Sequence, residues 1–247
     1  MGPLMAKNRS RSTQVAGGIP ALPSCTPARN GLRCFGRRGA LSMPKRLFDV
    51  AGAASALLLL SPILAAVALA IRLALGRPVL FRQIRPGYLE KPFTIYKFRT
   101  MREVVDPQGH PLPDGERLHP VGSFLRRASL DELPEFWNVL RGDMSLVGPR
   151  PLLMKYLPFY TKEERLRFIV PPGITGWAQV NGRNEAAWDD RLRKDIWYVR
   201  NRSFPLDIKI LWMTVAKVMR RDQVIVDARS VMMNLDEERA ALKVDGV

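Results

Sequence analysis

Two adjacent carboxylates, Asp131 and Glu132, are the residues of this chain best placed by type and spacing to do chemistry. Arg126 and Arg127 precede them, and Arg150 follows between two prolines. Arginines neutralise phosphate oxygens in bidentate fashion, while carboxylates hold divalent metals or attack phosphorus. The stretch therefore suits a substrate that brings phosphates and a divalent metal.

The same stretch also fits a purely structural interpretation. Ser129 to Glu132 matches a helix capping box, with the serine as N-cap and the glutamate at N3, although Pro134 removes a backbone donor from the first turns. Asp131 would then only favour the positive end of the helix dipole. Because a helix N-terminus is itself an anion site, cap and site remain compatible alternatives. Apolar residues with the spacing of a buried helix face follow: Leu133, Phe136, Trp137 and Leu140.

Two short strands, Val79 to Arg85 and Phe93 to Arg99, are predicted to form a β-hairpin around Pro86-Gly87. Lys97 and Arg99 share one face of the second strand, so the basic end of that face could meet phosphate. A solvated edge strand explains the same pattern, and the residues alone favour it.

An uncharged segment from Val50 to Ile71 has 22 residues. A helix of that length reaches about 33 Å, enough to span a hydrocarbon core of about 30 Å. Ser61 and Pro62 interrupt its centre, where proline removes a backbone hydrogen bond, and Ser61 could satisfy a carbonyl freed by Pro62. Both flanks are basic, which opposes a simple span under the positive-inside rule. A re-entrant helix is the favoured interpretation, and a kinked spanning helix is the alternative.

Elsewhere the pattern predicts mostly helices. A helical segment from Pro151 to about Phe168 is broken at Pro171-Pro172-Gly173. A glycine-rich segment around Gly176 and Asn181 could hold a nucleotide or be a structural loop. Helices are expected from Glu185 to Val199 and from Leu206 to Arg221. The last is amphipathic and could lie in a membrane interface or face the core.

The chain has 247 residues and a net charge of +16, enough for one or two domains. Residues 1–46 hold nine Lys or Arg and no acidic residue, so more than half of the net charge lies there. The charge suits an anionic membrane surface or phosphorylated substrates. No RNP, zinc-finger or helix-turn-helix signature supports nucleic acid as a partner. Cys25, Cys34, His110 and His119 lack the spacing of metal ligands.

Several motifs together resemble the bacterial sugar transferases, the monotopic phosphoglycosyl transferases. They are KRLFD from Lys45, KFRTM from Lys97, LRRASLDELPEFWNVLRGDMSLVGPRP ending at Pro151, and PGITGWAQVNGR from Pro172. They occur in the family's order, and the likeness extends to about Arg221.

The resemblance implies transfer of a sugar 1-phosphate from a UDP-sugar to polyprenyl phosphate, with UMP as the second product. Asp131 would be the nucleophile and Glu132 would hold Mg²⁺. Arg126 and Arg150 match arginines that bind phosphate or donor, and Lys97 and Arg99 are further candidates. A catalytically silent, membrane-bound nucleotide-sugar-binding scaffold is the alternative.

The expected architecture is a single cytoplasmic α+β domain, mainly helical, with amphipathic interfacial helices on the cytoplasmic face of the bacterial inner membrane. The expected divisions are a disordered basic arm (1–43), a re-entrant membrane helix with Ser61 and Pro62 at its turn (44–77), the catalytic domain (78–221) and a mobile tail (222–247). Membrane lipid is an expected partner, and a homo-oligomer stays open.

Overall fold

The computed structural model describes residues 25–26, 33–34, 42–104, 106–108, 110, 112–182, 188–220 and 234–244. The chain divides into two compact units, residues 1–37 and 38–247. In the first unit, β1 (Cys25–Thr26) and β2 (Arg33–Cys34) pair antiparallel. Apart from these four residues and the helix start at Met43, the predicted disordered arm lies outside the described residues. All that follows concerns the second unit.

The uncharged segment forms two helices, α1 (Met43–Leu59) and α2 (Ser61–Ala74), bent by 61° relative to each other. The predicted break at Ser61-Pro62 is confirmed. Pro62 has no backbone N–H to offer the carbonyl of Leu58, and the Ser61 hydroxyl donates to that carbonyl over 2.8 Å. Among the described residues no single helix is both long and apolar enough to cross a membrane, and α1 and α2 meet that criterion only as a bent pair.

A buried polar network fixes the start of α1 to the rest of the unit. The Asp49 carboxylate, 0% exposed, accepts hydrogen bonds from Lys45 Nζ at 2.9 Å and from Ser145 Oγ at 2.8 Å. Lys45 also pairs with Asp207 at 3.1 Å, and the Tyr198 hydroxyl donates to Asp207 over 2.7 Å. Four separate parts of the sequence therefore meet around two buried carboxylates, each of which has a charged partner.

The predicted hairpin is confirmed as β3 (Leu80–Pro86) and β4 (Pro92–Phe98), antiparallel, with a 3₁₀ turn at Tyr88–Glu90 between them. Its register pairs Phe81 with Lys97 and Arg82 with Tyr96. The other edge of β4 is covered by α5 (Glu135–Arg141), whose Asn138 side chain hydrogen-bonds the Thr94 carbonyl and the Tyr96 amide. The Asn138 side chain thus satisfies backbone groups at the edge of β4 that a third strand would otherwise bind.

The other elements pack around this ribbon and the start of α1. The parallel pair of β5 and β6 lies beside α1 and α8. In chain order these elements are α3 (Asp114–Arg117), α4 (Pro120–Arg127), β5 (Ser145–Val147), β6 (Gly173–Thr175), α6 (Trp177–Asn181), α7 (Trp188–Asn201), α8 (Phe204–Arg220) and α9 (Leu235–Val244).

One prediction of the sequence needs correction here. The segment after Pro151 forms two 3₁₀ turns, Met154–Phe159 and Glu164–Ile169, rather than one helix, and Pro158 lies inside the first of them. Within the tail (222–247), residues 235–244 form α9. Leu235 is fully buried against an aromatic cluster that includes Tyr156 and Trp188, and this burial holds the helix in place.

The predicted amphipathic helix near the end of the domain is confirmed as α8. Its Asp207 and Ile210 are buried, whereas the predicted apolar side is open, with Trp212 75% exposed and Met219 77% exposed. Contiguous exposed apolar surface marks an interaction site. This side of α8 is therefore open in the structure and does not face the core.

We expect Asp49→Ala to destabilise the protein by about 1–3 kcal/mol, because it removes a buried acceptor of Lys45 and Ser145 and leaves Lys45 with Asp207 as its carboxylate partner. Thermal unfolding of purified protein in detergent would measure the loss. Glu163→Ala is the matched control, since it breaks an exposed pair with Arg200 and should change stability by about 1 kcal/mol or less. Equal effects of the two substitutions would contradict a structural role for the buried network.

Candidate active site

Asp131 and Glu132 lie in a single 3₁₀ turn, Leu130–Glu132, between α4 and α5. The predicted capping box is wrong. Ser129 has a left-handed backbone (φ 53°) and makes no side-chain cap hydrogen bond, and α5 starts only at Glu135, after Pro134. The predicted buried face is also wrong at Trp137, which is 51% exposed, whereas Asn138 and Val139 are buried. The carboxylate pair thus belongs to a tight turn and not to a helix start.

Glu132 is the carboxylate that the surrounding cations bind. Lys97 Nζ lies 2.7 Å from Glu132 Oε1, and the Arg150 guanidinium contacts both carboxylate oxygens, reaching Oε2 at 3.3 Å. Burial opposes ionisation of Glu132, but the attraction of Arg150 and Lys97 outweighs it and lowers the pKa of Glu132 well below its usual range. Glu132 therefore stays charged and joins β4 to the loop that carries Arg150.

Asp131 has the opposite character. It makes no hydrogen bond or ion pair with any of the described residues. Burial, and then the neighbouring charge of Glu132, raise the pKa of Asp131 to about 6, against the attraction of Lys97, Arg126 and Arg150. At neutral pH this carboxylate is therefore ionised, partly buried and not engaged by a hydrogen-bond partner among the described residues. These properties are the ones that a carboxylate nucleophile needs.

Arg126 is held near Asp131 by the packing of α4 against the end of β4. Its Nε donates to Thr100 Oγ1 over 3.0 Å. The close approach needs glycine at position 122, because a Cβ there would lie 1.9 Å from the Thr100 carbonyl oxygen. Arg127, the adjacent arginine, is exposed. Of this arginine pair, the structure brings Arg126 to the turn.

Arg99 lies away from the carboxylate turn. Its side chain is buried and donates to the backbone carbonyls of Leu75 and Arg77, at the end of α2. These bonds join β4 to the bent helix pair. The structure thus separates Arg99 from Lys97, although both come from the same strand and were predicted to share a basic face.

Arg150 lies three residues after the end of β5, and residues that the sequence did not predict hold its backbone in place. Arg167 donates to the Arg150 carbonyl over 2.7 Å, and it is itself fixed by a buried ion pair with Asp195 at 2.8 Å and by the Tyr160 hydroxyl. No sequence signal could have found this arrangement, because the partners are far apart in the chain and carry no shared motif.

Gly148 allows the two strands of this region to touch. A Cβ on Gly148 would lie 2.5 Å from the Pro171 carbonyl oxygen and 2.8 Å from the Gly173 amide nitrogen. Gly176, which the sequence offered to a nucleotide loop or a structural loop, approaches the same residue, since a Cβ on Gly176 would lie 2.2 Å from the Gly148 carbonyl oxygen. The neighbouring residues 183–187 lie outside the described residues.

Three further ionisable residues surround the site and were not predicted. Glu135 is buried 3.0 Å from Lys97 Nζ, and burial together with the charge of Glu132 raises its pKa to about 7. Burial, followed by repulsion from Arg150, lowers the pKa of Arg85 and of Arg191. The spacing of Glu135, three residues after Glu132, is the one signal that could have found it. Positive charge is thus concentrated around Arg150.

Mg²⁺ usually takes one or two carboxylates and completes its shell with phosphate oxygens and water. Glu132 is 21% exposed and offers one such carboxylate, and Asp131 lies next to it. The described part of the chain contains no cluster of three or more His, Cys, Asp or Glu side chains that could hold a metal by itself. Glu132 could thus supply one ligand to a Mg²⁺ ion whose other ligands come from phosphate and water.

The family model and the similar proteins that match this chain are all sugar transferases. The sequence model of a family described as bacterial sugar transferase matches residues 40–221. A Bacillus subtilis (strain 168) protein named uncharacterized sugar transferase EpsL is 54% identical over 175 residues, covering 71% of this chain and 87% of that protein.

Two other similar proteins carry names that state a reaction. The UDP-glucose:undecaprenyl-phosphate glucose-1-phosphate transferase of Escherichia coli (strain K12) is 40% identical, over 81% of this chain. The UDP-N-acetylgalactosamine-undecaprenyl-phosphate N-acetylgalactosaminephosphotransferase of Aeromonas hydrophila is 39% identical, over 71% of this chain. The match spans 44% of the first relative's length and 43% of the second's.

The two adjacent carboxylates should have opposite effects on stability. An acid whose pKa is raised on folding destabilises the folded protein when ionised, and for Asp131 this effect is complete above about pH 6 and absent below 3.8. Asp131→Asn should therefore raise the unfolding temperature at pH 7.5, by an amount that shrinks at pH 4.5. Glu132→Gln should lower it at both pH values, because Arg150 loses its carboxylate partner and Lys97 keeps only Glu135.

Thermal unfolding of both variants and the parent protein in detergent would make this comparison. An unfolding temperature of Asp131→Asn below that of the parent at pH 7.5 would show that Asp131 has stabilising partners.

Proposed function

The chain belongs to the bacterial sugar transferase family, and from that premise we propose that it transfers a sugar 1-phosphate from a UDP-sugar to polyprenyl phosphate. The products are UMP and a polyprenyl diphosphate sugar. The observation that carries the proposal is the difference between the two carboxylates of the turn. Glu132 forms ion pairs with Lys97 and Arg150, whereas Asp131 is ionised and has no such partner among the described residues. Such a reaction is a first membrane step in making a surface glycan.

In the first step an Asp131 carboxylate oxygen attacks the sugar-linked phosphorus of the donor. The bond from that phosphorus to the bridging oxygen breaks, and UMP leaves with the electron pair. The enzyme then carries the sugar 1-phosphate as a mixed anhydride on Asp131. Lys97, Arg126 and Arg150 supply the positive charge that offsets the charge of the diphosphate during attack.

In the second step a phosphate oxygen of the polyprenyl phosphate attacks the same phosphorus. The bond to Asp131 breaks, which restores the free carboxylate and leaves a diphosphate between sugar and lipid. Two displacements let the soluble donor and the lipid acceptor use one site in turn. Mg²⁺ held by Glu132 and the donor phosphates would supply further neutralisation of the diphosphate charge.

The bent pair of α1 and α2 is proposed to enter and leave the cytoplasmic leaflet by the same face. The bend of 61° at Ser61 and Pro62 and the basic residues on both flanks support this arrangement. The open apolar side of α8 would lie in the interface. This placement brings the site to the surface where a soluble donor and a lipid phosphate can meet.

The choice of sugar does not follow from family membership. Relatives of nearly equal identity, 40% and 39%, are named for glucose and for N-acetylgalactosamine. The residues of the carboxylate turn recognise the phosphates that all such donors share, so the sugar must be selected by other contacts.

The covalent step predicts ping-pong kinetics. With a panel of UDP-sugars and no acceptor, the protein should release at most one UMP per active site and become labelled with phosphosugar. Asp131→Asn should abolish both, with a loss of turnover beyond the roughly 10²- to 10⁴-fold of a lost acid–base group. Asp190→Asn, which changes a half-buried aspartate on α7 paired with Lys194, is the control. Intersecting double-reciprocal lines without labelled protein would instead favour direct transfer.

The membrane arrangement predicts that both ends of the bent pair face the cytoplasm. In a background with Cys25→Ser and Cys34→Ser, the variants Met43→Cys and Arg77→Cys place single thiols at two exposed positions. Both should react with an impermeant thiol reagent only after cells are opened, and the cysteine-free background should not react. Labelling of either position in intact cells would refute the re-entrant arrangement.

A further inference from the structure

Helix α9 lies beyond residue 221, where the match to the family model ends, and it is nevertheless fixed to the domain. Its first residue, Leu235, is 0% exposed. It packs in a cluster whose other buried members are Tyr156, Tyr160, Phe168, Trp188 and Leu192. The Tyr156 hydroxyl also donates to Asn234 Oδ1 over 3.0 Å, directly before the helix begins. Burial of a whole leucine side chain favours the docked position of α9.

One arginine of α9 attaches it to two separate elements. Arg239 Nη2 lies 2.7 Å from Glu164 Oε1, at the start of the 3₁₀ turn Glu164–Ile169, and it also contacts Asp189 of α7. The side chains of Arg239 and Glu164 are only 19% and 11% exposed, so water and salt screen this pair less than a surface pair. Arg239 therefore bridges the 3₁₀ turn and α7.

Glu164 uses its two carboxylate oxygens for two different contacts. Oε2 accepts a hydrogen bond from the Thr161 amide at 2.7 Å, and Thr161 Oγ1 accepts one from the Glu164 amide at 3.2 Å. This reciprocal pair fixes the start of the 3₁₀ turn, as a capping box does for a helix. Because Oε1 is bound to Arg239, the position of α9 and the orientation of the turn are coupled.

The two elements that α9 joins are the ones that hold Arg150. Arg167, three residues after Glu164 in the 3₁₀ turn, donates to the Arg150 carbonyl. Asp195, six residues after Asp189 in α7, forms the buried ion pair with Arg167. The turn and α7 are thus joined twice, by this inner pair and by α9 on the outside. A shift of either element would move Arg150 relative to the carboxylate turn.

We propose that α9 positions the active site, with Leu235 and Arg239 acting through Arg167 to hold Arg150 against the carboxylate turn. The inference rests on the proposed function, to which it adds positioning residues outside the part of the chain that the family model matches. A displacement of about 1 Å far from the chemistry can cost about 10²-fold in rate. Arg239 can therefore control the first displacement without touching the donor.

The kinetic test measures the first displacement alone. Arg239→Gln should lower the rate constant of the UMP burst from donor at least about tenfold, because Arg150 is then misplaced when Asp131 attacks. The burst amplitude should match that of the parent protein, since the sites stay folded. Arg239→Lys should restore part of the rate. Leu235→Ala, which loosens α9 without removing a charge, should lower the same rate constant.

Arg200→Gln is the matched control for this test. It removes an arginine of α7 whose exposed ion pair with Glu163 does not involve α9, and it should change the burst rate by less than about twofold. An unchanged rate constant in Arg239→Gln would overturn the proposal. A lower amplitude with an unchanged rate constant would also overturn it, because α9 would then only stabilise the fold.

Hydrogen exchange measures the positioning without turnover. In nanodiscs, Arg239→Gln should increase amide exchange in the 3₁₀ turn Glu164–Ile169 and in the peptides that cover Arg150, whereas Arg200→Gln should change neither. An increase confined to α9 would overturn the proposal. If the parent protein releases no UMP from any UDP-sugar, the proposed function fails, while the exchange map still decides whether α9 holds the loop that carries Arg150.

Discussion

The ion pairs of Glu132 with Lys97 and Arg150 are the interaction on which the site depends. Two adjacent carboxylates in a partly buried turn would repel each other, and a pair of cations can satisfy only one of them well. Because Glu132 takes both cations, its charge is fixed and its neighbour remains without a partner. The pKa of Asp131 is thus raised first by burial and then by the fixed charge of its neighbour.

The ion pairs of Glu132 depend on residues from distant parts of the chain. Arg150 can meet Glu132 only if its loop is held, and the buried pair of Arg167 with Asp195 holds it through the Arg150 carbonyl. A buried ion pair is weak evidence for stability, since its desolvation opposes its attraction. Its position here, with one hydrogen bond directed at the loop that carries Arg150, indicates that it fixes the geometry of that loop. Lys97 is fixed in turn by β4, whose free edge is satisfied by Asn138.

Local patterns in the sequence were enough to predict the elements that local chemistry determines. Alternation around Pro86-Gly87 predicted the ribbon, and Ser61-Pro62 predicted the break between α1 and α2 together with the hydrogen bond to a freed carbonyl. The sequence also singled out Glu132 and Arg150, which the structure pairs with each other. The left-handed backbone of Ser129 was missed, because the capping-box pattern is equally satisfied by a turn. Arg167 and Asp195 were missed because only the tertiary fold brings them to Arg150.

The start of α1 is where the bent helix pair is joined rigidly to the part of the chain that carries the site. Lys45 and Asp49 are buried with Asp207 and Ser145, so the first turns of α1 are part of the same core that carries β5 toward Arg150. Ala53, one turn after Asp49, is still buried in that core, whereas Leu58 and Leu59 at the end of α1 are exposed. If the helix pair lies in the leaflet as proposed, the same buried ion pairs would set both its depth and the height of the carboxylate turn above it. A lipid phosphate needs no long reach if this spacing is fixed, and a rigid junction serves that purpose better than a flexible linker.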